Sequence, residues 1–232
     1  NHATVRENRL TGNVIGYILF LQERYTDILI LLGEHLYIAL FSVILGCLFA
    51  IPLGILLTKL KRGVVTSAAF TVANIFQTIP TIALLAIMIP FLGIGMKPAI
   101  FALFLYSLLP LLRNTYSGIK SVDPGVIESA KGMGLNAGQR LLQIELPLAF
   151  PYIMSGLRLT TVYIISWTTL AALIGAGGLG DLILSGIGIN NQFLIYTGAV
   201  LAIGLALLTD FVLGRVEKKL SHVSQAHSET QA

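Results

Sequence analysis

The sequence predicts an all-α membrane protein with about five transmembrane helices and a helix–turn–helix elbow on the cytoplasmic side. Apolar residues make up 55% of its 232 residues and charged residues only 11%, whereas a soluble domain carries about 25% charged residues. Several apolar runs reach the roughly 20 residues that a helix needs to cross a bilayer. Most Lys and Arg residues lie in short segments between those runs, which indicates membrane topology rather than nucleic-acid binding.

Residues 1–33 are predicted to precede the transmembrane region. The apolar stretch within residues 13–33 is interrupted by the polar residues 22–24, and it is too short to span a bilayer. We therefore expect an interfacial helix at the outer surface. The alternative is an additional span, which would invert the position of the N-terminus.

The transmembrane region is predicted over residues 34–214. Its five spans are expected at residues 36–58, 64–92, 99–117, 148–174 and 193–213. The second of these is too long for one helix perpendicular to the membrane, and it contains Pro80. Because proline removes an intrahelical hydrogen bond and clashes with the preceding turn, we expect a tilted or kinked helix there.

Basic residues in short loops predict the orientation of the spans. Lys59, Lys61 and Arg62 follow the first span, which places its end in the cytoplasm. Alternation then puts Lys97 outside and the long polar window after the third span inside. The N-terminus is therefore predicted outside and the C-terminus inside, with residues 215–232 forming a disordered cytoplasmic tail.

The polar window at residues 122–147 is predicted to form the elbow. Asp123 is a suitable N-cap for a first short helix at about residues 125–133, and a proline follows it in the first turn. Gly134 is suited to a left-handed position at the end of that helix, where the chain turns sharply. A second helix is expected at residues 137–145, so that the two arms project together into the cytoplasm.

The elbow contains the pattern E-S-A-x3-G-x9-I-x-L-P. This pattern resembles the "EAA" cytoplasmic loop of ABC importer permeases, which docks on a separate ATPase subunit. The resemblance implies ATPase-coupling roles for Glu128, Ser129, Ala130, Gly134, Ile144, Leu146 and Pro147. Ser129 stands where the motif has its first alanine, a small change that should not abolish docking.

The resemblance also implies partners and a fold. The fold would be that of the type I ABC importer permeases, which work by alternating access. An ATPase dimer has two docking sites and this chain offers one elbow, so we expect two ATPase subunits and a second permease subunit, identical or paralogous. ATP and Mg would be bound by the ATPase, and this chain would bind no cofactor directly. It would be a non-catalytic, multi-pass pore subunit in the lipid bilayer of the cell membrane, with no nucleic-acid partner.

Three further stretches resemble the permease subunits of osmoprotectant ABC importers, which take up glycine betaine, carnitine or choline. They lie at residues 77–85, 105–116 and 170–182, and the similarity extends over about residues 30–215. The Gly-Gly-Leu-Gly-Asp part of the third stretch also resembles methionine-importer permeases, so a methionine or other small-solute importer is the alternative. Because the chain ends shortly after its fifth span, a separate extracytoplasmic substrate-binding protein is expected.

A glycine-rich segment follows the fourth predicted span and matches G-x-G-x-x-G. A dinucleotide site would need a preceding strand in a βαβ unit, which a membrane span does not provide. We expect a bent segment at the outer end of this span, acting as an external gate or as a dock for the binding protein. Tight packing is the alternative. The candidate gate residues are Gly175, Gly177, Gly178, Gly180 and Asp181.

Aromatic side chains are candidates for contact with a quaternary ammonium solute, because such cations bind to aromatic faces. Packing or an interfacial belt is the alternative. The candidate pathway residues are Tyr106, Tyr116, Arg158, Tyr163 and Trp167. Of these, Arg158 either pairs with Asp210 or faces the pathway, and Asp210 is expected to be a structural acid near the cytoplasmic end of the fifth span.

Two other classes of protein are less consistent with the sequence. A stand-alone ion- or proton-coupled transporter needs acids near the middle of the bilayer, and only the off-centre Asp210 is available. A membrane enzyme needs a catalytic constellation, and none stands out. The sequence therefore predicts a transport subunit whose energy comes from a partner.

Overall fold

The computed structural model describes residues 2–60 and 63–229, with the side chains of residues 15–60 and 63–219. Within this part of the chain all regular structure is helical, which confirms the predicted all-α class. The α-helices are α1 (His2–Lys59), α2 (Val64–Thr78), α3 (Thr81–Leu92), α4 (Met96–Lys120), α5 (Pro124–Gly132), α6 (Ala137–Arg140), α7 (Leu146–Thr168), α8 (Leu179–Gly188) and α9 (Gln192–Glu229). A π-helical turn, Leu141–Glu145, precedes α7, and a 3₁₀ segment, Thr169–Ile174, follows it.

Four helical stretches in the described part of the chain are long and apolar enough to cross a membrane. They are Ile15–Lys59, Met96–Lys120, Ala137–Ile174 and Gln192–Lys219. Helices α2 and α3 are bent by 101° at the break between them, and together they make a fifth span if the pair crosses the membrane once. The four to five apolar spans agree with the predicted number of about five.

The kink expected at Pro80 is a full break into two half-helices. Ile79 is extended, with φ −71° and ψ 129°, and Pro80 caps α3 with φ −56° and ψ 137°. The proline ring disfavours helical geometry in the residue before it, which ends α2 at Thr78. A single tilted helix is thus the wrong description of this span.

The predicted interfacial helix at residues 13–33 is not a separate element. α1 runs without interruption from His2 to Lys59, so the expected break before the first span was wrong. The polar residues 22–24 that suggested a boundary are Gln, Glu and Arg, which are all good helix formers. The N-terminal part of α1 packs on α9, where the hydroxyl groups of Tyr17 and Thr197 lie 3.0 Å apart.

The predicted disordered tail at residues 215–232 is helical as far as it is described, because α9 continues to Glu229. Its low hydropathy suggested disorder, but the segment contains no proline or glycine after Gly214 to end the helix. Residues 230–232 lie outside the described residues, as do Lys61 and Arg62, two of the basic residues used to predict the orientation.

Small residues bring α4 into close contact with its neighbours at the centre of the fold. A Cβ added to Gly46 or Gly54 of α1 would lie 2.9 Å from the Cβ of Ser107 or Thr115 on α4. Such contacts let helices approach closely in lipid, where the hydrophobic effect does not hold them together. Gly198 of α9 has the same function against α8, since its added Cβ would lie 2.9 Å from the Leu179 carbonyl.

Candidate functional sites

The first arm of the elbow begins as its sequence predicts. The Oδ1 atom of Asp123 accepts hydrogen bonds from the backbone N–H of Gly125 at 2.6 Å and of Val126 at 3.3 Å. Pro124 occupies the first helical position, where its missing N–H leaves no bond unmade. The start of α5 is therefore fixed by local chemistry alone.

The turn between the two arms is fixed equally well. Gly134 has φ +82°, the left-handed conformation predicted for it. The N–H of Leu135 donates to the Ala130 carbonyl at 3.2 Å and that of Gly134 to the Lys131 carbonyl at 2.9 Å, which is the Schellman pattern. These two hydrogen bonds satisfy backbone carbonyls at the end of α5 and make the elbow a rigid unit.

The second arm starts with a reciprocal capping box. Asn136 Oδ1 accepts from the Gln139 N–H at 2.9 Å, and Gln139 Oε1 accepts from the Asn136 N–H at 2.8 Å. The arm then widens into the π-helical turn that ends at Glu145, and it continues into α7 without a break. Pro147 lies at the start of α7 and has no N–H to donate, which accounts for the change in hydrogen bonding just before it.

The outer surface of the elbow presents both polar and apolar side chains. Glu128 and Ser129 are exposed, as are Met133 (70%) and Leu142 (67%). Ala130 is fully buried within the chain, so its small side chain packs inward and is not part of the exposed surface of the elbow. Of the remaining motif residues, Ile144 and Leu146 are half-buried and Pro147 is exposed. Sequence reasoning missed Met133, although an apolar residue in a polar window is itself a signal.

An ion pair ties the elbow to the end of α1. Lys59 Nζ lies 2.5 Å from Glu145 Oε2, and the two side chains are 41% and 7% exposed. The nearly buried carboxylate would be costly without this partner. In the sequence, Lys59 indicates only topology, and Glu145 occupies a variable position of the motif. The contact between them could not be predicted locally, because 86 residues separate them.

Because Glu145 is nearly buried and Lys59 is not, replacing the two partners should have different effects on stability. Lys59→Met should lower the thermal midpoint of the purified protein more than Glu145→Gln, because only the first change leaves a buried carboxylate unpaired. The expected cost is about 1–3 kcal/mol, that of an unsatisfied buried polar group. The double variant should recover most of the loss. Equal effects of the two single variants would show that the pair does not hold the elbow.

The chain bends as predicted at the end of the fourth span, after α7. The 3₁₀ segment ends at Gly175, whose φ is +68°, and Gly177 and Gly178 both have φ +82°. These conformations cost little for glycine and are unfavourable for residues with a Cβ. The chain then enters α8 at Leu179.

Two residues of α1 cap the start of α8. The N–H of Gly178 donates to Glu34 Oε2 at 3.0 Å, and the N–H of Leu179 donates to His35 Nδ1 at 3.3 Å. Because Nδ1 accepts, the proton of a neutral imidazole lies on Nε2, which donates to the Ile165 carbonyl at 3.0 Å. His35 is fully buried, and its ring links α1, α7 and α8. No local sequence pattern indicates this site, since each partner is more than 100 residues away.

The glycine turn, residues 175–180, also leaves no room for side chains. A Cβ on Gly177 would overlap the Glu34 carboxylate, and one on Gly180 would overlap the Thr169 carbonyl. Next to them, burial raises the pKa of Asp181, and the negative charge of Glu34 raises it further. The glycine turn is therefore tightly packed against α1 and the 3₁₀ segment.

The turn between α3 and α4 contacts the glycine turn. The N–H of Gly95 donates to the Ile174 carbonyl at 3.0 Å. Gly175 packs on Ile94, whose Cγ2 atom would lie 3.3 Å from an added Cβ. The ends of two spans are thus joined at this side of the molecule.

Three of the four candidate aromatic residues come together. The ring centroids of Tyr106 and Trp167 lie 4.9 Å apart, and those of Tyr163 and Trp167 lie 5.9 Å apart. Tyr116 lies elsewhere and forms an edge contact with Phe70 at 5.3 Å. Tyr116 and Phe70 line a separate cavity of about 560 Å³.

Arg158 pairs with Asp210, one of the two alternatives that the sequence left open. Its Nε and Nη2 atoms donate to the two carboxylate oxygens at 2.6 and 2.8 Å, a bidentate contact between α7 and α9. Nη1 donates to Glu217 at 3.3 Å. Gly214 makes room for the guanidinium group, since an added Cβ would lie 2.9 Å from its Cζ.

Comparison with known proteins agrees with this architecture. The family model described as "Binding-protein-dependent transport system inner membrane component" matches residues 50–222. The chain is 48% identical over 202 residues to the glycine betaine/carnitine/choline transport system permease protein OpuCB of Bacillus subtilis (strain 168), covering 87% of this chain and 92% of that protein. It is 47% identical over 204 residues to the choline transport system permease protein OpuBB of the same organism, covering 88% and 93%.

Solved structures show the same fold. A chain of the MetNI methionine ABC transporter in an inward-facing conformation superposes with a TM-score of 0.75 at 26% identity, covering 83% of this chain and 95% of that chain. The extent of the family match and the identity to the relatives together decide the assignment. The chain belongs to the family of binding-protein-dependent transport system inner-membrane components and has the type I ABC importer permease fold.

Proposed function

We propose that this chain is the permease subunit of an ATP-driven importer for quaternary ammonium osmoprotectants such as glycine betaine, carnitine and choline. The observation that carries the proposal is the elbow, a rigid helix–turn–helix that carries the motif with Glu128 and Ser129 exposed on its first arm. The names of the similar Bacillus subtilis permeases support the solute class. A partner ATPase binds ATP with Mg and hydrolyses the ATP, and this chain is non-catalytic.

The geometry supports a mechanical role for the elbow. Its second arm is continuous with the fourth span through the π-helical turn, so a displacement of the elbow tilts that span directly. The ion pair between Glu145 and Lys59 passes the same displacement to α1. A rigid-body movement of the docked ATPase is thereby converted into opening or closing of the pore.

The partners follow from the single elbow. An ATPase dimer presents two docking sites, so the assembly contains two ATPase subunits and a second permease subunit, identical or paralogous. An extracytoplasmic substrate-binding protein delivers the solute at the opposite side, where the glycine turn forms part of the external gate or the dock. The sharp turn at Gly177 and Gly178 and its contact with the α3–α4 turn support this placement.

The proposed location is the cell membrane, with the N-terminus outside and the C-terminus in the cytoplasm. The ion pair between Lys59 and Glu145 supports this arrangement, since it puts the end of α1 on the same side as the elbow. Arg158 and Glu217 likewise bring the inner parts of α7 and α9 together. Lys120, Lys131 and Arg140 lie in or beside the elbow, in agreement with the positive-inside rule.

Uptake measurements test the proposed solute class. The chain would be expressed with its cognate ATPase and binding protein in a host that lacks its own osmoprotectant and methionine importers. Radiolabelled glycine betaine, choline or carnitine should accumulate at high osmolarity, and labelled methionine should not. Accumulation of methionine alone would overturn the proposal in favour of the methionine alternative, which the likeness to the MetNI structure keeps as the second candidate.

A further inference from the structure

The cluster of Tyr106, Tyr163 and Trp167 lies beside the break in the second span. Tyr106 is on α4, and the other two residues are one helical turn apart on α7. The tyrosine hydroxyl of Tyr106 donates to the carbonyl of Ile79, the residue that caps α2. The Gln77 side-chain amide donates to the Tyr106 carbonyl at 2.8 Å, so the ring is held at the end of α2 from both sides.

The C-terminus of α2 contributes a partial negative charge beside the aromatic cluster. A helix C-terminus carries carbonyl oxygens without intrahelical donors and a partial negative charge. Non-helical backbone at membrane depth is tolerated where it is buried in protein or lines a cavity. The break at Ile79 and Pro80 therefore places a cation-attracting helix end beside Tyr106, at the base of the cluster.

The rings differ in their accessibility. Tyr106 is 2% exposed and forms the base of the cluster, whereas Tyr163 is 46% exposed and Trp167 is half-buried between them. Thr78 and Pro80 at the break are also exposed. The cluster is thus closed on the α4 side and open on the side of α7 and the break.

The chemistry of the cluster suits a cation that must not be held tightly. The described side-chain hydrogen bonds of Tyr106 and Gln77 go to backbone carbonyls and involve no carboxylate. Aromatic faces attract a quaternary ammonium group by about 0.5–2 kcal/mol. A site of this strength can receive a solute from a binding protein and release it again.

We propose that Tyr106, Tyr163 and Trp167 form a low-affinity site within the membrane for the trimethylammonium group of the transported solute. The inference rests on the proposed function for its solute class. Trp167 lies at the centre of the site, and Tyr163 is the open wall that a solute contacts first. Tyr106 is a positioning residue that fixes the base of the cluster to the end of α2.

The sole tryptophan of the chain allows a direct test. The permease–ATPase complex in nanodiscs, without binding protein, would be titrated with choline while tryptophan fluorescence is recorded. The same complex with Trp167→Phe serves as the blank for partner tryptophans. The uncharged isostere 3,3-dimethyl-1-butanol tests whether the charge matters. We expect a saturable response to choline and none to the alcohol.

Variants of Tyr163 sharpen the result. Tyr163→Leu should weaken the apparent choline affinity about 2- to 30-fold, and Tyr163→Phe should leave it unchanged because the ring is kept. The matched control is Tyr196→Leu, which alters another exposed tyrosine (57%) on α9, outside the cluster. No response in the wild-type complex, an equal response to the alcohol, or unchanged affinity in Tyr163→Leu would overturn the proposal.

Uptake by the same proteins separates this proposal from the proposed function. If the wild-type complex accumulates glycine betaine and choline but shows none of the expected fluorescence behaviour, the aromatic site is wrong and the function stands. If the wild-type complex accumulates only methionine, the solute class is wrong and the site falls with it. If choline is taken up and its half-saturation concentration is higher in Tyr163→Leu than in the wild-type complex, but not in Tyr163→Phe, the result supports both the aromatic site and the proposed function.

Discussion

Gly178→Val is expected to abolish transport while leaving the protein in the membrane. Position 178 has φ +82°, a conformation that a β-branched residue strongly disfavours. An added Cβ would also lie 3.1 Å from His35 Nδ1 and 3.3 Å from His35 Cβ. The substitution must therefore push α8 away from Glu34 and His35, which cap it. The spans themselves are not altered, so insertion should proceed.

A control in the same helix distinguishes this effect from a general intolerance of valine. Gly188 ends α8, has no positive φ, and has no atoms within 4 Å of an added Cβ. Gly188→Val should therefore transport at close to the wild-type rate. The measurement is solute uptake normalised to the amount of permease in the membrane fraction. Wild-type uptake by Gly178→Val would contradict the role of the glycine turn in transport.

Arg158→Met is expected to reduce the amount of permease in the membrane several-fold. The substitution removes the bidentate partner of Asp210 and leaves that acid inside the fifth span. Charged side chains within spans are costly unless they are paired or reach water. Arg158→Lys should have an intermediate effect, because an ammonium group cannot form the two parallel hydrogen bonds of a guanidinium group.

Neutralising Asp210 tests whether its unpaired charge causes the loss of permease from the membrane. Arg158→Met combined with Asp210→Asn should restore much of the lost abundance, since it no longer leaves a charged Asp210 without its bidentate partner. Lys97→Met changes an exposed basic residue that is in none of the described ion pairs, and it should have little effect. The readout is a quantitative immunoblot of the membrane fraction. Normal abundance of Arg158→Met would mean that the pair does not hold α7 against α9.

The elbow was predictable in detail because its structure depends on local chemistry. Asp123 caps the residues that follow it directly, and Gly134 adopts the conformation that ends a helix with a sharp turn. The spans were predictable from their composition for a similar reason, since apolar length decides which segments can cross a bilayer. Pro80 marked its break, although only the structure gives the angle of 101°.

What the sequence did not predict depends on residues far apart in the chain. The caps that Glu34 and His35 provide for α8 span 144 residues. The ion pair of Lys59 with Glu145 spans 86 residues, and the partner of Arg158 was one of two open alternatives. No local pattern encodes such contacts, because they follow from how the helices pack.

The two wrong helix boundaries have a different cause. The N-terminal segment was predicted to end at residue 33, before the first span, and disorder was predicted beyond residue 214. Composition alone does not end a helix, and both segments lack proline and consist largely of helix-compatible residues. The helices α1 and α9 are accordingly longer than the spans that they contain.

The coupling role of the elbow is the central claim, and uptake of radiolabelled glycine betaine at high osmolarity tests it most directly. Two strains that lack their own betaine importers would express the permease with its cognate ATPase and binding protein, one of them carrying Glu128→Lys and Gly134→Arg. At equal membrane abundance, we expect uptake in the wild-type strain and none in the variant, whose permease should also fail to co-purify with the ATPase. Equal uptake in both strains would contradict the claim that the elbow couples the ATPase to transport.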